Sequence, residues 1–156
     1  MQLGDLIFIR GTQGLAGPIR KITRSPYTHI AGLAHPEQVI ESQALRITGY
    51  EHVQTYKGVA DVYRCEELTD RQRKEIVEFA RSKIGTRYDY LLFFWLAGRH
   101  LLGQSVPLIA SQKRRICTTL WADAYRSVGI DLCPGIEYPT PGELANSQWL
   151  KKVDSY

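Results

Sequence analysis

A cysteine, a histidine and a glutamate, far apart in the chain, are the residues whose types and settings could do covalent chemistry. Cys117 opens a predicted helix, Cys117-Thr118-Thr119-Leu120-Trp121-Ala122-Asp123-Ala124-Tyr125, behind the basic run Lys113-Arg114-Arg115. Backbone N–H groups at a helix start carry partial positive charge and favour a thiolate over a thiol, which suits a nucleophile. Cys117 also precedes the apolar stripe Leu120, Ala124 and Val128 by three residues, so core packing is the alternative. His29 lies in the strand-like segment Tyr27-Thr28-His29-Ile30-Ala31-Gly32-Leu33 and could act as base. The competing role is a core histidine bonded to a backbone carbonyl. His35 precedes a proline, and His52 and His100 sit among polar loop residues; all three read as surface.

A base needs a third group to orient it. A turn centred on residue 35 would set His29, six residues before it, opposite Glu41, six residues after it. Opposed side chains in an antiparallel pair share a face about 5 Å apart, and a slip of one residue would undo the pairing. His29, His35 and Glu41 lack compact ligand spacing, so neither a metal nor any other cofactor is expected. Cys65 ends a strand and Cys133 sits in a loop before Pro134; packing or partial exposure is their expected lot. Three cysteines cannot all pair within one chain, and their spacing matches no zinc pattern, which favours a reduced, intracellular setting.

The elements that must position these groups divide into strands, then helices. Asp5 to Arg10, Tyr27 to Ala34, Gln38 to Ser42, Ala44 to Tyr50 and Val59 to Arg64 read as strands, with a short helix over Ile19 to Thr23. Thr69-Asp70-Arg71-Gln72 is a capping box, followed by an apolar face of Ile76, Val77, Ala80 and Ile84 up to Gly85. Tyr88 to Leu102 is predicted as a second helix. The Cys117 helix is third, stopping at Gly129, and Thr140-Pro141-Gly142-Glu143 starts a last short one. Asp5 suits a turn and Asp89 a helix cap. Strands followed by helices favour an α+β fold with an antiparallel sheet packed against helices. The cluster Tyr88, Tyr90, Phe93, Phe94 and Trp95 reads as core, with an exposed lid or membrane-contact surface as the alternative.

At 156 residues, 44% apolar and 23% charged, the chain fits one domain, residues 1–156, with a real core. A net charge of +4, scattered along the chain with acids between, is a weak attraction to anionic surfaces and gives no nucleic-acid signature. Met1 to Asp5 runs straight into Leu6-Ile7-Phe8-Ile9 without a signal-peptide pattern, and no apolar run is long enough to span a bilayer. A cytoplasmic location is expected, with peripheral membrane contact as the furthest approach to lipid; the oligomeric state is left open.

Five short motifs occur in one order: Gly4-Asp5-Leu6-Ile7-Phe8, Thr28-His29-Ile30-Ala31, Val39-Ile40-Glu41-Ser42, Gly85-Thr86-Arg87-Tyr88-Asp89 and Cys117-Thr118-Thr119-Leu120. That order resembles the circularly permuted papain-fold cysteine hydrolases of the NlpC-like superfamily, the YiiX/YaeF-type amidases, in which histidine precedes cysteine. The resemblance covers nearly the whole chain, through Pro141-Gly142-Glu143-Leu144. It implies Cys117 as nucleophile, His29 as base, Glu41 as third member, and a substrate groove near Tyr88-Asp89. Tyr27, Tyr88 and Thr118 are the substrate-binding candidates. The family commonly carries Ser then Glu after the cysteine, where this chain has Thr118 and Thr119. The expected activity is that of a cysteine amidase or peptidase acting on a peptide-like amide, habitually a cell-wall peptide, or a lipid-linked one; a phage or prophage origin would fit. The alternatives are a thiol acyltransferase or lipid hydrolase of the lecithin:retinol acyltransferase type, and a non-catalytic binding module.

Overall fold

The computed structural model describes residues 1–11, 17, 20–21, 24–42, 47–87 and 116–156. Six strands form one antiparallel sheet: β1 (Leu6–Ile9), β2 (His29–His35), β3 (Gln38–Glu41), β4 (Gly49–His52), β5 (Ala60–Arg64) and β6 (Lys151–Ser155), in the spatial order β4-β3-β2-β1-β5-β6. A 3-10 turn, Val53–Tyr56, follows β4. The helices are α1 (Asp70–Arg81), α2 (Cys117–Arg126) and α3 (Pro141–Ala145). Among the described residues no helix is long and apolar enough to cross a membrane.

Alternation along the central strands sorts their side chains onto two faces. Leu6, Phe8, Ile30, Ala34 and Ile40 join Ile76, Val77, Ala80, Leu120 and Trp121 in the core beneath the helices. Ile7, Ile9, Ala31, Leu33 and Val39 form a smaller core on the other face with Val53 and Tyr56. Helix α1 begins at the expected Thr69–Gln72 capping box, and α3 at the Thr140–Glu143 box with Pro141 in its first turn. Ile84 departs from expectation. Helix α1 ends at Arg81, so Ile84 falls beyond its apolar face and is exposed, while Arg73 is buried there instead. Arg73 reaches the Cys65 carbonyl at 2.7 Å and, with Arg64, surrounds the fully buried Asp5 carboxylate.

One aromatic ring ties the helix layer to the strands that matter. Trp121 lies over Gly32 of β2, and its indole N–H donates to the Ile40 carbonyl of β3 at 3.2 Å. At the far end of α2, the Tyr125 hydroxyl donates to the Gly4 carbonyl at 2.8 Å, just before β1. The helix that opens at Cys117 is thus clamped to β2 and β3 near one end and to the lead-in of β1 near the other. Strand β4 starts later than the expected Ala44 to Tyr50, and β6 has no counterpart among the expected strands. The predicted helix over Tyr88 to Leu102, with Asp89, His100 and the aromatic cluster, lies outside the described residues, as does most of Ile19 to Thr23.

Candidate active site

His29 sits at the start of β2, paired across to Ile9 of β1, and alternation gives it the face of Ala31 and Leu33. Its Nε2 meets Glu41 Oε2 at 2.6 Å; both side chains are largely buried. The strand register that achieves this differs from the expected one. The turn is Pro36-Glu37, with His35 paired to Gln38. A regular ladder from that pair would set Glu41 opposite Gly32, on the helix-covered face and away from His29. A bulge between Leu33 and His35 inserts Ala34 as an extra residue, so Leu33 meets Val39 and Gly32 meets Ile40. Glu41 then faces Ala31, and His29 is its diagonal neighbour on the same face, a separation that long side chains span. A single inserted residue re-aims the carboxylate.

Tyr56, the last residue of the 3-10 turn, donates its hydroxyl to the same Glu41 Oε2, and its ring lies 6.4 Å from the imidazole. Sequence reasoning missed this residue. The only local signal was His52, whose Nδ1 accepts from the Gln54 N–H at 3.2 Å and starts the turn. Glu41 therefore has two donors on one oxygen, which fixes the carboxylate and through it the ring.

Cys117 acts on the same imidazole as a charge and hydrogen-bond partner. With Nε2 committed to Glu41, Nδ1 is the nitrogen left for the sulfur. Burial opposes charge on the imidazole, but its interactions with Cys117 and with the Glu41 carboxylate overcome it, so the His29 pKa is pushed up to about 10. Cys117 is the first residue of α2. Ile116 before it offers no capping side chain, and the Thr119 hydroxyl folds back on the Ile116 N–H and carbonyl, each at 3.1 Å. The first-turn N–H groups, which have no partner within a helix, are left pointing toward the cysteine end.

Of the substrate-binding candidates, Thr118 is 1% exposed and its hydroxyl has no hydrogen-bond partner. Tyr27 is buried, with its hydroxyl donating to Asp61 at 2.7 Å and lying 3.1 Å from that of Tyr63, and it walls a cavity. Tyr88 lies outside the described residues. His35 and His52 are exposed, as expected. Cys65 and Cys133 are buried; burial raises the Cys65 thiol, and burial with Glu143 and Asp131 nearby pushes Cys133 up to about 11.

No family model matches the chain, and no curated protein matches it by sequence. Its structure is similar to the crystal structure of metalloprotein YiiX from Escherichia coli O157:H7, with a TM-score of 0.74 over 99% of this chain and 97% of that one, at 18% identity. With the histidine strand ahead of the cysteine helix, this chain has the YiiX-type α+β fold, a circularly permuted papain-like arrangement of one antiparallel sheet and its helices.

Proposed function

We propose that the chain is a cysteine amidase or peptidase, one hydrolase domain over residues 1–156, with Cys117 as nucleophile, His29 as general base and Glu41 as the group that orients it. The observation that carries this reading is a thiol at a helix start within reach of a buried imidazole whose other nitrogen is held by a carboxylate. The Cys117 proton rests on His29, and the thiolate attacks the amide carbonyl carbon. The oxyanion that forms is met by first-turn N–H groups of α2. Imidazolium then protonates the departing amine. Water, deprotonated by His29, cleaves the thioester and restores the thiol. The unpaired Thr118 hydroxyl, beside the sulfur in sequence, is the group that gains a partner if substrate or water reaches it.

A cavity lined by Tyr27 supports a peptide-like rather than an acyl-chain substrate. Arg24, Tyr63, Thr140, Glu143 and Asn146 are among the residues lining it, and an acyl chain would desolvate them without return. The acyltransferase alternative needs an apolar surface, for which Leu91 to Leu96 are the candidates, and these lie outside the described residues. The solved neighbour is named a metalloprotein, yet among the described residues here no three or more His, Cys, Asp or Glu are grouped to hold a metal ion. A cytoplasmic location remains part of the proposal.

Iodoacetamide-alkyne at neutral pH provides the direct test. Cys117 should label at least about ten-fold faster than Cys65 and Cys133, whose thiols are raised by burial. Equal labelling of Cys117 and Cys133 would favour the non-catalytic binding module. The pH profile gives a second check. An imidazolium that persists to about 10 puts the alkaline limb of kcat/KM near that pH, and a limb near 7 would contradict the thiolate–imidazolium pair. The sign for stability follows the raised pKa: the His29 contribution is complete below about 6.5 and lost as pH rises through about 10. Tyr56→Phe, which leaves Glu41 with one donor fewer, should lower kcat on the order of ten-fold and shift that limb downward, read in the same titration.

A further inference from the structure

Two cavities adjoin beside the lead-in to β2. The larger, of about 650 Å³, is bounded by Arg24, Tyr27, Tyr63, Thr140 and Glu143, among others. The smaller, of about 490 Å³, is bounded by Arg20, Lys21 and Arg24, and shares Ser25 and Pro26 with the first. Both volumes suit small-ligand sites. Arg24 stands at their common wall with φ of 50°, the one non-glycine with positive φ among the described residues. That conformation costs roughly 1 kcal/mol for a residue with a Cβ, and such strain concentrates where a side chain must be presented.

Arg20, Lys21 and Arg24 are exposed, and none makes an ion pair among the described residues. Glu143 is the only acid lining either cavity, and its carboxylate accepts from the Thr140 N–H at 2.7 Å and hydroxyl at 2.9 Å, holding it in the α3 cap. Asp61, behind the tyrosine wall, is already paired with Arg10 and with Lys152. Among the described residues, three cations without an ion pair therefore line the cavities, and an arginine fork matches a planar carboxylate. Tyr27, which lines the larger cavity beside Arg24, is two residues ahead of His29, and an extended chain advances about 3.3 Å per residue, which sets Tyr27 about 7 Å from the base along the strand direction.

We propose that the Arg20-Lys21-Arg24 wall is a subsite for a carboxylate carried by a peptide-like substrate whose scissile amide lies at Cys117. The proposal rests on the amidase reading for the meaning of the site but not for its test. The full-length Cys117→Ser variant, which cannot turn over, is titrated with N-acetyl-trialanine as free acid and as C-terminal amide, followed by heteronuclear NMR. The free acid should bind at least ten-fold more tightly than the amide, with shifts centred on residues 24–27. Arg24→Gln in the same background should erase the difference, and raising the salt should shrink it. Equal binding of acid and amide, no binding of the acid, or an unchanged preference in Arg24→Gln would overturn the proposal. Inorganic phosphate competing at lower concentration than acetate would assign the wall to a phosphoryl group and overturn the carboxylate assignment. Failure of the amidase reading shows separately, as slow alkylation of Cys117 in the unaltered protein.

Discussion

Cys117→Ala and His29→Ala should each lower turnover of any amide the unaltered protein cleaves by about 10⁴-fold or more, since the two act as one unit. The double variant should be scarcely worse than either single one, because once sulfur or imidazole is gone the other has nothing to activate. Additive losses would mean that the two contribute separately and would remove the thiolate–imidazolium pair from the mechanism. Glu41→Gln should cost less, on the order of 10- to 100-fold, because it loosens the ring without deleting it. Circular dichroism separates these losses from unfolding. That control matters most for His29→Ala, which leaves the buried Glu41 with the Tyr56 hydroxyl but without its imidazole partner.

Gly32→Ala should have the largest effect on stability of any glycine-to-alanine change among the described residues. A Cβ at Gly32 would overlap the ring of Trp121, which is fully buried. Overpacking at such a site costs about 3 kcal/mol, a fall in Tm on the order of 10 °C for a domain of this size. The damage should extend to function, because the displaced ring also donates to the Ile40 carbonyl beside Glu41 and belongs to the helix that opens at Cys117. Combining Gly32→Ala with Trp121→Leu should cost clearly less than the sum of the two, and strict additivity would show that the contact is not what limits the site. An unchanged Tm in Gly32→Ala would dispose of the clamp.

What could be read from sequence was local. The Thr69–Gln72 and Thr140–Glu143 caps each close within four residues, so side-chain type and spacing suffice to define them. The apolar runs of β1 and β2 were likewise readable, because burial on both faces leaves few polar positions in them, and β5 was readable from its period-two alternation. Strand β6 was not. All five of its residues are exposed, two are lysines, and only its hydrogen bonding to β5 makes it a strand. Tyr56 escaped for a similar reason: nothing near it in sequence refers to Glu41, fifteen residues earlier. The pairing of His29 with Glu41 was anticipated from a simpler hairpin than the one that forms, since neither the two-residue turn nor the bulge at Ala34 announces itself in residue types.

That bulge carries a rule for how this hairpin can change length. Removing Ala34, or adding one residue to the turn, would invert β3 relative to β2 and drive the carboxylate in among Leu6, Phe8 and Trp121, while turning Ile40 out to the imidazole side. Adding or removing two would keep the inward and outward sets in place. Length variation between β2 and β3 among chains that keep this pair should therefore come in even steps, a parity that descent must respect.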